Sequence, residues 1–341
     1  MVVFRWFLFY RIGIIWVDLC KGLSIYIVKA IMYHYVGFPD PKYPYFRYLN
    51  FSNFKKQLDW FASNGGFVSK EDFFRVVSGE ISANDTSGFL LTFDDGLYEH
   101  YNTVLPELKK RGLWGFFYIP ALPYTEKKIL DVHKTHLLLG MHGGKKMSDA
   151  LEKLIIPDML IPQDEKYFTD NTYTLQSNFS DEVNFKRILN YHLLYKYREN
   201  VLDDLFEQYV DAKINIDNIY MSEKMVKGLH DSGMIVGSHS ITHRLMSRLS
   251  DEEQESEILA SFDVIDKIVD GLKIKTFCYP YGGSYSYNKK TLSILNKNDI
   301  LFSFSVNSKD IDKLCIHNQI QELPRYDTIE FPYGSSNKAI I

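Results

Sequence analysis

Cysteine is scarce: the 341 residues contain three, Cys20, Cys278 and Cys315. Three thiols in a chain this long cannot make a disulfide framework, and no C-x-x-C pair occurs to suggest a thiolate zinc site or a dithiol redox motif. Reduced, buried thiols suit a cytoplasmic protein without excluding an exported one. An excess of one charge is also lacking, because 39 Lys+Arg against 43 Asp+Glu leaves a net −4. Such a chain has no field for gripping a phosphate backbone, so no nucleic-acid partner is expected. Proline (11) and glycine (20) are too few for collagen-like or low-complexity classes. No G-x-S-x-G occurs, so a serine-hydrolase elbow is missing. No histidine has Asp or Glu two residues later, so the usual local arrangement of a two-His-one-carboxylate iron oxygenase is missing too. What is present is a 45% apolar and 24% charged composition, enough to bury a sizeable core.

Residues 1–28 are strongly apolar and aromatic, but Arg5, Arg11, Asp18 and Lys21 interrupt them. A spanning helix wants about 20 predominantly apolar residues, and no small-residue cleavage site follows. This segment reads either as a hydrophobic helix packed on the main domain or as a helix lying in a membrane interface; an uncleaved anchor is a further alternative. Beyond it, apolar strand-like runs at Lys29–Val36, Gly88–Phe93, Gly115–Ile119, Met234–Gly237, Thr276–Tyr279 and Leu301–Val306 alternate with helical patterning. A helix over Phe51–Phe61 has Ser52 as its expected N-cap and Gly65-Gly66 as its stop; others are expected over Tyr98–Arg111 and after the Ser250…Glu253 capping box. Repeated βα units imply an α/β protein with a parallel sheet or barrel. Residues 121–225 break the rhythm and read as a largely helical insertion into one domain of residues 29–341, an independent helical domain being the alternative.

Chemistry concentrates at three strand ends. In Thr92-Phe93-Asp94-Asp95-Gly96 two carboxylates follow an apolar strand; they suit a site, although Asp-Asp-Gly also serves as a turn or cap. In Gly237-Ser238-His239-Ser240-Ile241-Thr242-His243 two imidazoles four positions apart can face one ion if the segment makes a helical turn. One carboxylate with two histidines leaves positions on a Zn²⁺ open for water and substrate, and the second carboxylate is then free to act as a base. In Phe277-Cys278-Tyr279-Pro280-Tyr281-Gly282-Gly283, proline and the glycines can present a rigid backbone N–H to a ligand, or simply make a β-turn.

The ordered trio TFDDG, HSITH and FCYPYG resembles the NodB-homology polysaccharide deacetylases, carbohydrate esterase family 4. Tyr33-His34 on the opening strand and Leu323-Pro324-Arg325-Tyr326-Asp327 add to the likeness. The resemblance implies a distorted (β/α) barrel, a divalent metal, commonly zinc, and removal of N-acyl groups from amino sugars. It makes Asp94 the general base, Asp95, His239 and His243 the metal ligands, and the Tyr281 N–H an oxyanion donor, with Pro280 and Tyr281 against the substrate. Many relatives carry an arginine in the third motif that braces the base; Cys278 stands there in this chain, and Arg325 is the expected substitute. The leaving-amine acid has two candidates, His317 in Leu314-Cys315-Ile316-His317 and His34. Tyr98 and His100 are candidate pocket residues. The same machinery would serve an O-deacetylase or N-deformylase, and a metal-free glycan-binding pseudoenzyme is the reading from another class. No separate carbohydrate-binding module is recognisable. The expected partner is therefore an acylated amino sugar (lipid-linked, nucleotide-linked or a short oligosaccharide) of bacterial surface-glycan or lipopolysaccharide biosynthesis. The expected setting is the cytoplasm, with membrane contact through residues 1–28, or the outside of the cell behind an uncleaved anchor.

Overall fold

The computed structural model describes residues 28–161, 167, 170–173, 180–210 and 214–335; the reading of the apolar leader lies, up to residue 27, outside them. The strands are β1 (Val28–Tyr33), β2 (Val36–Gly37), β3 (Leu49–Asn50), β4 (Gly88–Phe93), β5 (Phe116–Ile119), β6 (Ile235–Ser238), β7 (Thr276–Cys278), β8 (Phe302–Phe304) and β9 (Tyr326–Asp327). Seven of them form one parallel sheet in the order β8-β7-β6-β5-β4-β1-β9, curled into a half-barrel, while β2 and β3 pair separately. The chain is thus an α/β protein of the expected distorted-barrel type.

Alternation explains the sheet's two buried faces. In β1, β4 and β5, Ile31, Leu91, Phe93 and Phe117 point to one face, among side chains of α1 (Phe51–Ser63) and α3 (Leu105–Arg111). Their neighbours Ala30, Leu90, Phe116 and Tyr118 point to the other, towards α2 (Lys70–Val77). Phe93 stacks between Tyr33 and Phe117 at centroid distances of 5.2 and 4.7 Å, directly beneath Asp94. Each such buried ring contributes roughly 2–3 kcal/mol, so the floor of the acidic pair is stiff.

Between β5 and β6 the chain is helical: α4 (Leu122–Thr125), α5 (Asp131–His142), α6 (Gly144–Leu151), α7 (Asp181–Arg187) and α8 (Tyr195–Tyr209). These helices bury their own cluster, including Leu138, Met147, Leu151, Phe185, Leu189 and Leu202. Further on come α9 (Glu223–Asp231), α10 (Asp251–Val269), α11 (Lys289–Lys297) and α12 (Lys313–Asn318). The capping box of Ser250 and Glu253 opens α10 as expected. Two local expectations are corrected. The cap of α1 is Asn50, whose Oδ1 accepts both the N–H and the hydroxyl of Ser52, so Ser52 is the capped residue. The helix expected over Tyr98–Arg111 has a π-turn at His100–Val104 before α3, where Pro106 cannot donate to the helical ladder. No helix among the described residues is long and apolar enough to cross a membrane.

Candidate metal centre

Four parallel strands bring the three motifs and Arg325 together at one end of the sheet. Asp94 and Asp95 follow β4, His239 and His243 follow β6, Cys278 ends β7, and Arg325 precedes β9. Asp95 has φ 80° and Gly96 φ 63°, so the backbone turns sharply enough for adjacent carboxylates to serve one cavity. The two histidines converge without the helical turn that their spacing suggested. Ser240 and His243 adopt left-handed φ values of 65° and 56° in an irregular loop. That loop is held by Glu257 of α10, whose Oε2 accepts the N–H groups of Ile241 (2.9 Å) and Thr242 (2.8 Å) while Oε1 takes the Thr242 hydroxyl.

Asp95, His239 and His243 are 2%, 2% and 6% exposed, and each offers a ligand atom to one point. Asp95 Oδ1 lies 3.5 Å from Nε2 of His239 and 3.5 Å from Nε2 of His243. It is buried and has no hydrogen-bond partner. The His239 Nδ1–H donates to the Cys278 carbonyl (2.8 Å), so in the neutral ring Nε2 carries a lone pair. Burial lowers the pKa of both imidazoles, that of His243 well below the usual value, which keeps the rings neutral. A lone pair facing a carboxylate oxygen is repulsive unless a cation lies between them. The donor set, one carboxylate and two imidazoles, is the kind that suits Zn²⁺.

Asp94 lies close to His239 and Cys278 but is engaged differently. Arg325, 1% exposed, grips it with both arms: Nη1 to Oδ1 and Nη2 to Oδ2, each 2.8 Å. Burial alone would raise this carboxyl, but Arg325, aided by His239 and His34, brings it down to about 2. Arg325 also donates to Thr92 Oγ1 (3.0 Å) and Cys278 Sγ (2.9 Å), so the cysteine accommodates the guanidinium that reaches Asp94 from the other end of the chain.

The remaining candidates distribute unevenly. His34 Nε2 is 3.9 Å from Asp94 Oδ2, and the ring opens onto a cavity of about 440 Å³ lined also by Tyr45, Arg47, Tyr173, Lys186 and Asp327. His100 is fully buried and donates from Nε2 to the His34 carbonyl (2.9 Å); it supports the strand end and does not face the cavity. Tyr98 is exposed and its N–H pairs with Ile219 O, so it too stands outside that lining. His317 is exposed on α12, and none of its described contacts reaches Asp94. Pro280 is buried behind Tyr281, whose φ of 63° and the following Gly282 (φ 70°) shape the turn. A Cβ on Gly282 would meet Val306 Cγ2 at 2.3 Å, so only glycine fits there. The Tyr281 ring packs against His243 (5.0 Å), and its hydroxyl accepts from Arg198 (3.1 Å) of α8.

Residues 199–303, which carry both histidines and the third motif, match the sequence model described as polysaccharide deacetylase. Over that segment, about a third of the chain, the sequence is similar to the polysaccharide deacetylase family. The likeness in fold runs further. The deacetylase PplD of Streptococcus pyogenes, solved in complex with acetate, superposes with a TM-score of 0.53 at 17% identity, over 89% of this chain and 93% of that one. IcaB from Ammonifex degensii gives 0.51 at 17% identity, over 88% and 90%. No curated protein matches the chain.

Three functional residues escaped the sequence reading. His133 of α5 lies 3.1 Å from Asp95 Oδ2, Arg198 holds Tyr281, and Glu257 holds the histidine loop. Only Glu257 leaves a trace in sequence: it is an acid on the stripe of Gln254, Ile258 and Ser261 that α10 buries. His133 and Arg198 belong to the helical segment, where nothing local marks them.

Proposed function

We propose that the chain is a metal-dependent hydrolase that removes an N-acyl group, preferentially acetyl, from an amino sugar. The observation that supports it best is the separation of duties between neighbours: Asp95 faces two imidazoles, while Asp94 is committed to Arg325. Asp95, His239 and His243 would hold a divalent cation, with Zn²⁺ the ion that suits them. Such an ion supplies Lewis acidity, acidifying water and polarising an acyl carbonyl.

Asp94 is the general base. Held at about 2, it is ionised at any physiological pH and free to accept a proton from a water beside it. Arg325 fixes the carboxylate plane and returns it to the same orientation after each proton transfer. His34 donates a proton to the departing amine from the cavity side, with its backbone held by His100. The Tyr281 N–H stabilises the oxyanion of the tetrahedral intermediate, and the left-handed turn at Tyr281 and Gly282 gives that donor a fixed direction. The cavity beside His34 offers tyrosine faces with Arg47, Lys186 and Asp327, a mixture suited to a hydroxylated ring. Its size favours one sugar unit over a long polymer. We place the substrate in bacterial surface-glycan or lipopolysaccharide assembly, and the apolar residues 1–28 support a membrane-held acceptor.

The test is acetate release from a panel of sugar nucleotides, lipid-linked sugars and chitin oligomers, with and without a chelator. Chelator-sensitive release from an N-acetyl amino sugar is expected, restored by added Zn²⁺. Hydrolysis indifferent to chelation would overturn the mechanism, and preference for long chitin would overturn the substrate assignment.

A further inference from the structure

We propose that His133, delivered by α5 and held in one tautomer by Tyr220, is a positioning residue that keeps its Nε2–H beside Asp95 Oδ2 and reserves Oδ1 for the cation. The inference rests on the metal reading above and concerns groups that the family motifs do not contain.

His133 is fully buried and Tyr220 is 2% exposed. The Tyr220 hydroxyl accepts the Leu130 N–H at 3.0 Å and lies 2.6 Å from His133 Nδ1. A phenol oxygen already receiving one N–H has its own proton to place, and His133 Nδ1 is the acceptor beside it. Burial pushes the Tyr220 hydroxyl pKa well up, so that proton stays in place. With Nδ1 accepting, the imidazole proton belongs on Nε2, which is 3.1 Å from Asp95 Oδ2. The opposite tautomer would set a nitrogen lone pair against the carboxylate while two donors crowded the Tyr220 oxygen. Both ends of the chain Leu130–Tyr220–His133–Asp95 therefore demand the same arrangement. Asp95 thereby has Oδ2 3.1 Å from His133 Nε2, while Oδ1 is buried, without a partner, and faces the His239 and His243 nitrogens.

The anchor of this chain is also tied to the acidic loop itself. Tyr220 and Leu97 form an antiparallel bridge, the Met221 N–H donates to Gly96 O (3.0 Å), and the Tyr98 N–H donates to Ile219 O (2.8 Å). The helical segment thus reaches Asp95 twice, once through the backbone that follows it and once through His133. Outer groups that orient a ligand in this way commonly alter metal affinity by about 10–100-fold when lost.

The experiment uses the chelator-stripped full chain and the variants His133→Phe, His133→Gln and Tyr220→Phe. Zn²⁺ dissociation constants are read by competition with a chromophoric chelator, and the melting temperature of each metal-free protein is recorded alongside. His133→Phe should weaken Zn²⁺ about 10–100-fold and Tyr220→Phe about tenfold, at temperatures where the metal-free variants remain folded. His133→Gln, which keeps an N–H donor, should bind within about threefold of the unaltered chain. Should His133→Phe fail to fold, the other two variants still decide the matter. Equal affinity in Tyr220→Phe and the unaltered chain would overturn the proposal, as would a loss in His133→Gln as deep as in His133→Phe. An unaltered chain that binds no Zn²⁺ would remove the metal reading itself, a failure distinct from unchanged variants of a metal-binding chain.

Discussion

Arg325→Met isolates the electrostatic role of the Arg325–Asp94 pair. The substitution keeps an unbranched apolar stem but leaves Asp94, 1% exposed, without its bidentate partner. Holding that carboxyl at about 2 rather than near its usual 3.8 corresponds to roughly 2–3 kcal/mol, at about 1.4 kcal/mol per pKa unit. Without Arg325, burial dominates and drives the carboxyl above its unfolded value, so a loss of about 3–5 kcal/mol is expected at neutral pH. The sign of the pH dependence follows from these directions. In the unaltered chain the depressed carboxyl stabilises the fold above about pH 4, and that contribution disappears as pH falls towards 2. In the variant the carboxyl is raised, so the cost of burying its charge is absent below about pH 4 and grows as pH rises. Urea unfolding of chelator-treated protein at pH 4.5 and 7.5 should show a deficit that is largest at the higher pH. Asp94→Asn added to Arg325→Met should recover part of it, because no buried charge remains. A deficit equal at both pH values, or below about 1 kcal/mol at neutral pH, would refute the view that Arg325 acts chiefly by charge.

Two further predictions concern groups around this pair. Glu257→Gln replaces the charged acceptor of the Ile241 and Thr242 N–H groups, and it should weaken Zn²⁺ by about tenfold in a competition titration with the fold intact. Unchanged affinity would mean that the histidine loop holds its shape without Glu257. The two acid candidates should separate cleanly: His34→Ala should lower kcat by about 10²-fold or more with little change in KM, whereas His317→Ala should leave both within about twofold. The reverse pattern in steady-state kinetics would reassign the proton donor.

The parallel sheet was readable in sequence because its strands are short apolar runs that end in functional residues, as GFLLTF runs into Asp94 and Asp95. The grouping of Asp95, His239 and His243 could be anticipated for the same reason, since successive parallel strands bring their C-terminal ends to one edge. The route by which the histidines meet could not. Spacing by four suggests a helical turn, whereas the loop relies on left-handed Ser240 and His243 and on a glutamate from α10. His133 and Arg198 were hidden because their partners Asp95 and Tyr281 are distant in sequence. A buried histidine or arginine within a helix looks locally like any amphipathic residue until the opposing surface is known.

In the proposed arrangement one cation sits among Asp95, His239 and His243 with Asp94 beside it and unligated. A crystal structure of the Zn²⁺-loaded chain, with the ion located by anomalous scattering, tests this most directly. A single strong site is expected, with those three side chains at about 2.0–2.2 Å and Asp94 still paired with Arg325. An ion held elsewhere, or one that takes Asp94 from Arg325 as a ligand, would contradict it.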